Sequence, residues 1–158
     1  MHVLVAIDSS AAARACVDEV ASRPWSADTR VRVLSVTGIH PAAPLPQPGM
    51  PYATAMRVPP PGTTSLDIQE RATETARRVA QEGADVLARS GLHALARIRE
   101  GTPGTQIVEE ASEWAADLFI VGSRGRSVLK RVFLGSVSRY VVHHAPCSVE
   151  VVREKATA

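Results

Sequence analysis

The chain has 158 residues, of which 45% are hydrophobic and 22% charged, and this is the composition of an ordinary globular domain. Its 18 basic and 16 acidic residues leave a net charge of only +2, which gives no argument for nucleic acid binding. No apolar run approaches the ~18 residues of a membrane span, and Cys16 and Cys147 form no CxxC pair. We therefore expect one cytoplasmic domain over residues 1–158 that contacts neither a membrane nor nucleic acid.

The first half of the chain begins with a strand, a helix and a second strand. Residues 3–7 form a nearly continuous apolar run that ends at Asp8, as in a strand buried on both faces. Serines precede a helical pattern at 11–22, and the β-rich run VRVLSV follows at 31–36. The segment at 41–61 contains eight prolines, which lack the N–H needed for helix or sheet bonding. It is predicted to be an inserted loop.

The second half of the chain continues the alternation. Apolar residues recur at helical spacing from residue 66 to Gly91, which predicts a long amphipathic helix with charges on its outer face. The later predicted elements are a strand at 93–99 that suits a sheet edge, a helix at 103–115 whose buried stripe includes Ala115, a strand at 117–121, a helix at 136–145 capped by Ser136, and a strand at 147–152. Strands that alternate with helices predict an α/β fold with an open parallel sheet and helices on both faces.

Three glycines stand at fixed spacing in the segment VGSRGRSVLKRVFLGSVS, which covers residues 121–138. Gly122 ends the fourth predicted strand, Gly125 follows three residues later, and Gly135 with Ser136 opens the last predicted helix. Glycine lets backbone approach a ligand closely, and the amides at a helix N-terminus favour an anion. The spacing predicts a phosphate-binding segment.

Two other features fall on the same edge of the predicted sheet, since the carboxyl ends of parallel strands lie together. Asp8 follows the first strand, and Val36 ends the second. The glycine segment also contains four basic residues that suit a polyphosphate: Arg124, Arg126, Lys130 and Arg131.

Three common motifs of nucleotide-binding proteins and hydrolases are missing from the sequence. There is no G-x4-G-K-[S/T] loop, no G-x-G-x-x-G fingerprint and no G-x-S-x-G elbow. Phosphoryl transfer requires a positioned metal ion and a group that orients the nucleophile, and only charge clamps are indicated here. The pattern favours a protein that binds its ligand over an enzyme.

The glycine segment resembles the G-x2-G-x9-G-[S/T] motif of universal stress proteins of the nucleotide-binding type, and the resemblance extends to MHVLVAIDSS and APCSVEVVR. It implies a five-stranded sheet in the order 3-2-1-4-5 that binds ATP, often with Mg²⁺ or Mn²⁺ held by the phosphates and by no protein ligand. Carried over by position, it implies contacts to ATP from Ala6, Ile7, Asp8, Val36, Val121, Gly122, Arg124, Gly125, Gly135, Ser136 and Val137. It also implies a homodimer joined through the last strand, at residues 148–152.

Three functions are consistent with these residues. The first is an ATP-binding regulator or sensor of a stress response, with an unknown protein partner. The second is a weak ATPase or phosphotransferase that uses the same pocket. The third is an interaction module that binds no nucleotide and works through the proline-rich segment.

Overall fold

The computed structural model describes residues 1–38, 64–123 and 134–153. Within them, strands and helices alternate as predicted: β1 (His2–Ala6), α1 (Ala11–Ala21), β2 (Arg30–Thr37), α2 (Ser65–Arg89), β3 (His93–Glu100), α3 (Pro103–Glu113), β4 (Leu118–Gly122), α4 (Ser136–His144) and β5 (Ser148–Val152). The predicted proline-rich loop at 41–61 lies outside the described residues.

The strands form one sheet in the order β3-β2-β1-β4-β5, and every neighbouring pair is parallel. The α/β fold class and the strand order are therefore confirmed. The prediction that residues 93–99 form an edge strand is also confirmed, because β3 pairs only with β2 among the described strands. Strand β1 lies in the middle of the sheet. The next two strands, β2 and β3, are added on one side of it, and β4 and β5 are added on the other side.

The central strands of the sheet are buried on both faces. Val3 and Val5 of β1 pack with α1 and α2 on one face, in a core cluster that includes Leu87. Leu4 lies on the other face, in a second cluster that includes Phe119 and contains apolar residues of α3 and α4. Side chains alternate between faces along a strand, so an apolar run such as HVLVA has a core on each side.

Two details of the helix ends differ from the prediction. Gly135, not Ser136, is the N-cap of α4, and Ser136 is the first residue of that helix. Helix α3 ends at Glu113, so Ala115 does not lie on its buried stripe; it is exposed and has a φ of 50°. Sequence periodicity cannot distinguish the last helical turn from a residue that reverses the chain.

A buried ion cluster fixes α3 against the sheet. The Glu110 side chain is only 1% exposed, and its oxygens lie 2.6 Å from Arg32 Nη1 on β2 and 2.8 Å from Arg99 Nε on β3. The Arg32 guanidinium also lies over the ring of Trp114, 4.2 Å from its centroid. Because removing one partner leaves an uncompensated buried charge, at a cost of about 3–5 kcal/mol, this cluster strongly restrains the position of α3.

Both cysteines are free thiols whose pKa is raised by burial. Cys16 is fully buried, and that burial, with smaller effects of Asp8, Glu150 and Glu19, raises the pKa of its thiol to about 12. Cys147 is half-buried, and burial raises its pKa above the ordinary value as well. Neither thiol has the lowered pKa of a nucleophile.

Candidate functional site

A cavity of about 270 Å³ opens at the carboxyl edge of the sheet, where β1 and β4 end side by side. Open parallel sheets bind their ligands at this place, where the strand order reverses. The cavity wall comes from β1, β2, β4 and the first turns of three helices: Ala6, Ile7, Asp8, Ser10, Ala13, Leu34, Val36, Pro103, Ile107, Val121, Gly122, Gly135, Ser136, Val137 and Ser138.

One part of the cavity wall is apolar. Leu34 and Val36 come from the end of β2, and Pro103 and Ile107 come from the first two turns of α3. Leu34 and Ile107 also belong to the core cluster beneath the cavity, so their positions are fixed by packing. An apolar wall of this kind fits a flat ring system better than a charged group.

The turn between β1 and α1 contributes a carboxylate. Asp8 Oδ1 accepts a hydrogen bond of 2.9 Å from the backbone N–H of Ser10. The Ser10 hydroxyl oxygen accepts one of 3.3 Å from the N–H of Ala13, which caps α1. Asp8 is therefore held by the same turn that starts the helix, at a place where its second oxygen can accept from a hydroxyl group.

The opposite side of the cavity is the first turn of α4. Gly135 gives this helix no side-chain cap, and its first internal bond runs from the N–H of Arg139 to the Gly135 carbonyl at 2.9 Å. The amides of Ser136, Val137 and Ser138 consequently have no acceptor within the helix, and all three residues line the cavity. Unpaired amides at the positive end of the helix dipole make a favourable place for an anion.

Two hydrogen bonds attach this first turn to the end of β4, and a third attaches the end of β4 to β5. The buried Ser138 hydroxyl donates to the Gly122 carbonyl at 2.6 Å, and the Gly135 N–H donates to the Ser123 carbonyl at 2.8 Å. The Ser123 N–H in turn donates to the carbonyl of Val152 at 2.7 Å. The end of β4, the start of α4 and the end of β5 thus form one bonded unit.

The structure brings together nine of the eleven residues that the sequence predicted for the site, all on the wall of this one cavity. Arg124 and Gly125 lie outside the described residues. That these eleven residues contact a nucleotide stays a prediction.

Sequence reasoning missed six lining residues: Ser10, Ala13, Leu34, Pro103, Ile107 and Ser138. Pro103 was assigned to the start of a helix, but nothing in its pattern shows that this helix begins beside β1. Ser138 carried a usable signal, because it lies two residues after the predicted anion-binding serine on the same helical turn.

Two kinds of site are not found in the described parts of the chain. At 1–38, 64–123 and 134–153 no group of three or more His, Cys, Asp or Glu side chains is placed to hold a metal ion. Over the same ranges no helix has the length and apolar character needed to cross a bilayer.

An open parallel sheet with a cavity where the strand order reverses defines an α/β protein of the doubly wound class. Residues 1–153 match the model of the universal stress protein family, and the chain belongs to that family. The resemblance read from the glycine spacing is thereby confirmed.

Curated relatives agree with this assignment. A universal stress protein of Synechocystis sp. is 50% identical over 56 residues, which cover 35% of this chain and 36% of that protein. A second one from the same organism is 43% identical over 79 residues, covering 46% of this chain and 73% of that protein. The match to the first of these relatives spans only about a third of that relative's length.

Solved structures share the fold over nearly the whole chain. The hypothetical protein MJ0577 has a TM-score of 0.77 at 23% identity, with 99% of this chain and 97% of that chain covered. A universal stress protein UspA from Lactobacillus plantarum has a TM-score of 0.72 at 24% identity, with 97% of both chains covered. Identities this low support the fold alone.

Some structural neighbours contain a bound nucleotide. A universal stress protein in complex with cAMP has a TM-score of 0.61 at 20% identity and covers 97% of this chain and 96% of its own. A family protein from Arabidopsis thaliana with AMP bound has a TM-score of 0.61 at 16% identity, covering 99% and 93%. One from Archaeoglobus fulgidus in complex with dAMP has a TM-score of 0.58 at 19% identity, covering 96% of both chains.

Gly104 lets α3 and α4 pack closely beside the cavity, and this contact is testable. A Cβ added at Gly104 would lie 2.7 Å from Tyr140 Cδ1, 2.9 Å from Cγ and 3.2 Å from Cβ. Gly104→Ala should therefore lower the free energy of unfolding by about 1–3 kcal/mol, measured by urea denaturation, because the new methyl group also crowds Tyr140 Cβ, which is attached directly to the α4 backbone.

The second substitution Tyr140→Ala is the control for this prediction. It removes the atoms that the new methyl group meets, so the double variant should lose less stability than the sum of the two single variants. Strictly additive losses would show that the two helices do not meet at Gly104 and Tyr140.

Proposed function

We propose that the protein binds an adenine nucleotide, with ATP as the ligand, and acts in the cytoplasm as a nucleotide-dependent regulator or sensor of a stress response. The observation that carries this proposal is one cavity lined both by apolar side chains and by the uncapped first turn of α4. A nucleotide has the same two parts, a flat apolar base and an anionic phosphate chain.

Each part of the cavity has a matching part of the ligand. The base would lie against Val36 and the start of α3, and the phosphates would accept from the amides of Ser136 to Ser138. Asp8 also lines the cavity, and its carboxylate would accept from a ribose hydroxyl. The neighbours that hold AMP, cAMP and dAMP support an adenine nucleotide, and ATP is the ligand that the resemblance to the nucleotide-binding members of the family implies.

Arg124 and Gly125 are proposed as further phosphate contacts, by their positions in the glycine motif. A divalent ion, Mg²⁺ or Mn²⁺, would be held by the phosphates, since the described residues offer no cluster of metal ligands. The donor set of the cavity, which consists of backbone amides and serine hydroxyls, fits phosphate oxygens better than it fits a bare cation.

Substituting Ser136 tests the phosphate end of the cavity. Ser136 is exposed and is the first residue of α4, so Ser136→Asp places a negative charge at the helix N-terminus, where it stabilises the helix by about 0.3–1 kcal/mol. The same charge repels phosphate, and affinity for MgATP should fall by at least about tenfold in a calorimetric titration.

The matched control is Ser65→Asp, an exposed serine that is the first residue of α2 and does not line the cavity. It should leave ATP affinity unchanged. A wild-type protein that gives no binding heat with MgATP would contradict the proposed function, as would a Ser136→Asp variant with unchanged affinity.

The proposal is that ATP is bound and not turned over. Among the described residues that line the cavity, Asp8 is the only carboxylate, and histidine and lysine are absent. Fast hydrolysis needs a group that activates or orients water as well as cations that clamp the γ-phosphate, and the sequence indicates only the clamps.

Phosphate release measures this directly. Purified wild-type protein with MgATP should release phosphate no faster than the Asp8→Ala variant in a coupled colorimetric assay. Release that rises in proportion to wild-type protein and disappears in Asp8→Ala would instead establish the weak ATPase.

We also propose that two copies pair through β5. This strand is one edge of the described sheet, and it pairs only with β4 there. Its side chains at Val149 and Val151 are apolar and only half-buried, and an apolar edge strand is a ready template for pairing with a second copy.

Light scattering on a sizing column tests the pairing. Wild type should have about twice the 16.8 kDa of one chain, and Val149→Lys should shift it toward the monomer because lysine on an edge strand opposes pairing. Leu95→Lys is the control, since Leu95 is 70% exposed on β3 at the opposite edge. A wild-type mass of one chain would contradict the dimer.

A further inference from the structure

We propose that Ser138 is a positioning residue for the phosphate end of the cavity. It holds the first turn of α4 in the orientation that binds phosphate, and its hydroxyl group makes no bond to the ligand. This inference rests on the proposed nucleotide binding, and it concerns a residue outside the glycine motif.

The two serines at the start of α4 differ in what their hydroxyl groups do. Ser138 is 2% exposed, and its hydroxyl hydrogen is used in the 2.6 Å bond to the Gly122 carbonyl. Ser136 is exposed on the same turn, and its hydroxyl makes no hydrogen bond within the described residues. Ser136 is thus available to a ligand, whereas Ser138 is a fixed link to the end of β4.

A second hydrogen bond, from Gly135, also joins the first turn of α4 to the end of β4. The Gly135 N–H donates to the Ser123 carbonyl at 2.8 Å, so two bonds join the first turn of α4 to two successive carbonyls at the end of β4. Two bonds three residues apart on the helix fix both its distance from β4 and its rotation about its own axis. With the Gly135 bond alone, packing of the later residues of α4 would still hold the helix, but its first turn would be less firmly held against rotation.

Rotation of this turn would affect one end of the ligand more than the other. The amides of Ser136 to Ser138 face the proposed phosphates, and their combined effect depends on their common direction. The apolar wall at Val36 and Ile107 belongs to β2 and α3, and it is fixed by core packing and by the Glu110 ion cluster. Loss of the Ser138 hydroxyl should therefore weaken phosphate binding and leave nucleoside binding nearly unchanged.

The experiment compares two ligands on three variants by equilibrium dialysis with radiolabelled ATP and radiolabelled adenosine. Ser138→Ala should weaken ATP binding by about tenfold and change adenosine binding by less than about twofold. Ser138→Thr, which retains the hydroxyl, should recover most of the ATP affinity. Ser136→Ala removes the neighbouring exposed hydroxyl and controls for the loss of a direct ligand contact.

The two ligands separate a positioning role from a merely structural one. Equal losses of ATP and adenosine affinity in Ser138→Ala would show that the variant damages the whole cavity, and this would overturn the inference. Unchanged ATP affinity in Ser138→Ala, or a Ser138→Thr variant as weak as alanine, would also overturn it. If Ser138→Ala does not fold, Ser138→Cys keeps nearly the same volume with a much weaker donor, and the same split between ligands is expected of it.

The outcome also distinguishes this inference from the function on which it rests. Wild-type protein that binds no ATP overturns the proposed function and this inference with it. Wild-type protein that binds ATP, together with a Ser138→Ala variant that binds it equally well, overturns the role of Ser138 alone.

Discussion

The parallel pairing of β1 with β4 is the constraint from which the site follows. Ala6 lies opposite Val121 in this pair, so the turn after β1 and the glycine segment after β4 leave the sheet side by side. Residues more than a hundred positions apart in the sequence therefore reach one cavity. The chain continues to α1 on one face after β1 and, after β4, to α4 on the other face, and this divergence opens the space between them.

The walls of this space are held by interactions of different kinds. The apolar wall depends on α3, which the buried Glu110 attaches to Arg32 and Arg99 and which approaches α4 closely at Gly104. The polar wall depends on hydrogen bonds between the first turn of α4 and the last residues of β4. The cavity therefore combines apolar side chains held by core packing with backbone amides at the start of a helix.

Most of the fold could be predicted from the sequence because its signals are local. Apolar runs of five or six residues, helical periodicity and the Pro103 start each indicate an element without reference to the rest of the chain. The exact helix ends could not be predicted, since serine is the better N-cap by residue type and yet Gly135, not Ser136, takes that position. The local pattern also could not predict that Glu110 of α3 is buried, because its burial depends on arginines from two strands, β2 and β3.

The residues of the candidate site also divide into those that the sequence could predict and those that it could not. Asp8, Gly122 and Gly135 could be placed at one edge because strand ends in a parallel sheet coincide. Ser138, Pro103 and Ile107 could not, because their part in the cavity depends on how α3 and α4 pack. The glycine spacing thus indicates where phosphate would lie, while the packing of helices determines what surrounds it.

The central claim is that the first turn of α4 and the end of β1 face one nucleotide. Titrating ¹⁵N-labelled protein with MgATP and following backbone amide shifts tests it most directly. The account predicts that the largest shifts occur at the amides of Ser136, Val137 and Ser138 and at Ile7 and Asp8, on opposite sides of the cavity. Shifts confined to α2 or β3, or no shifts at saturating ATP, would contradict it.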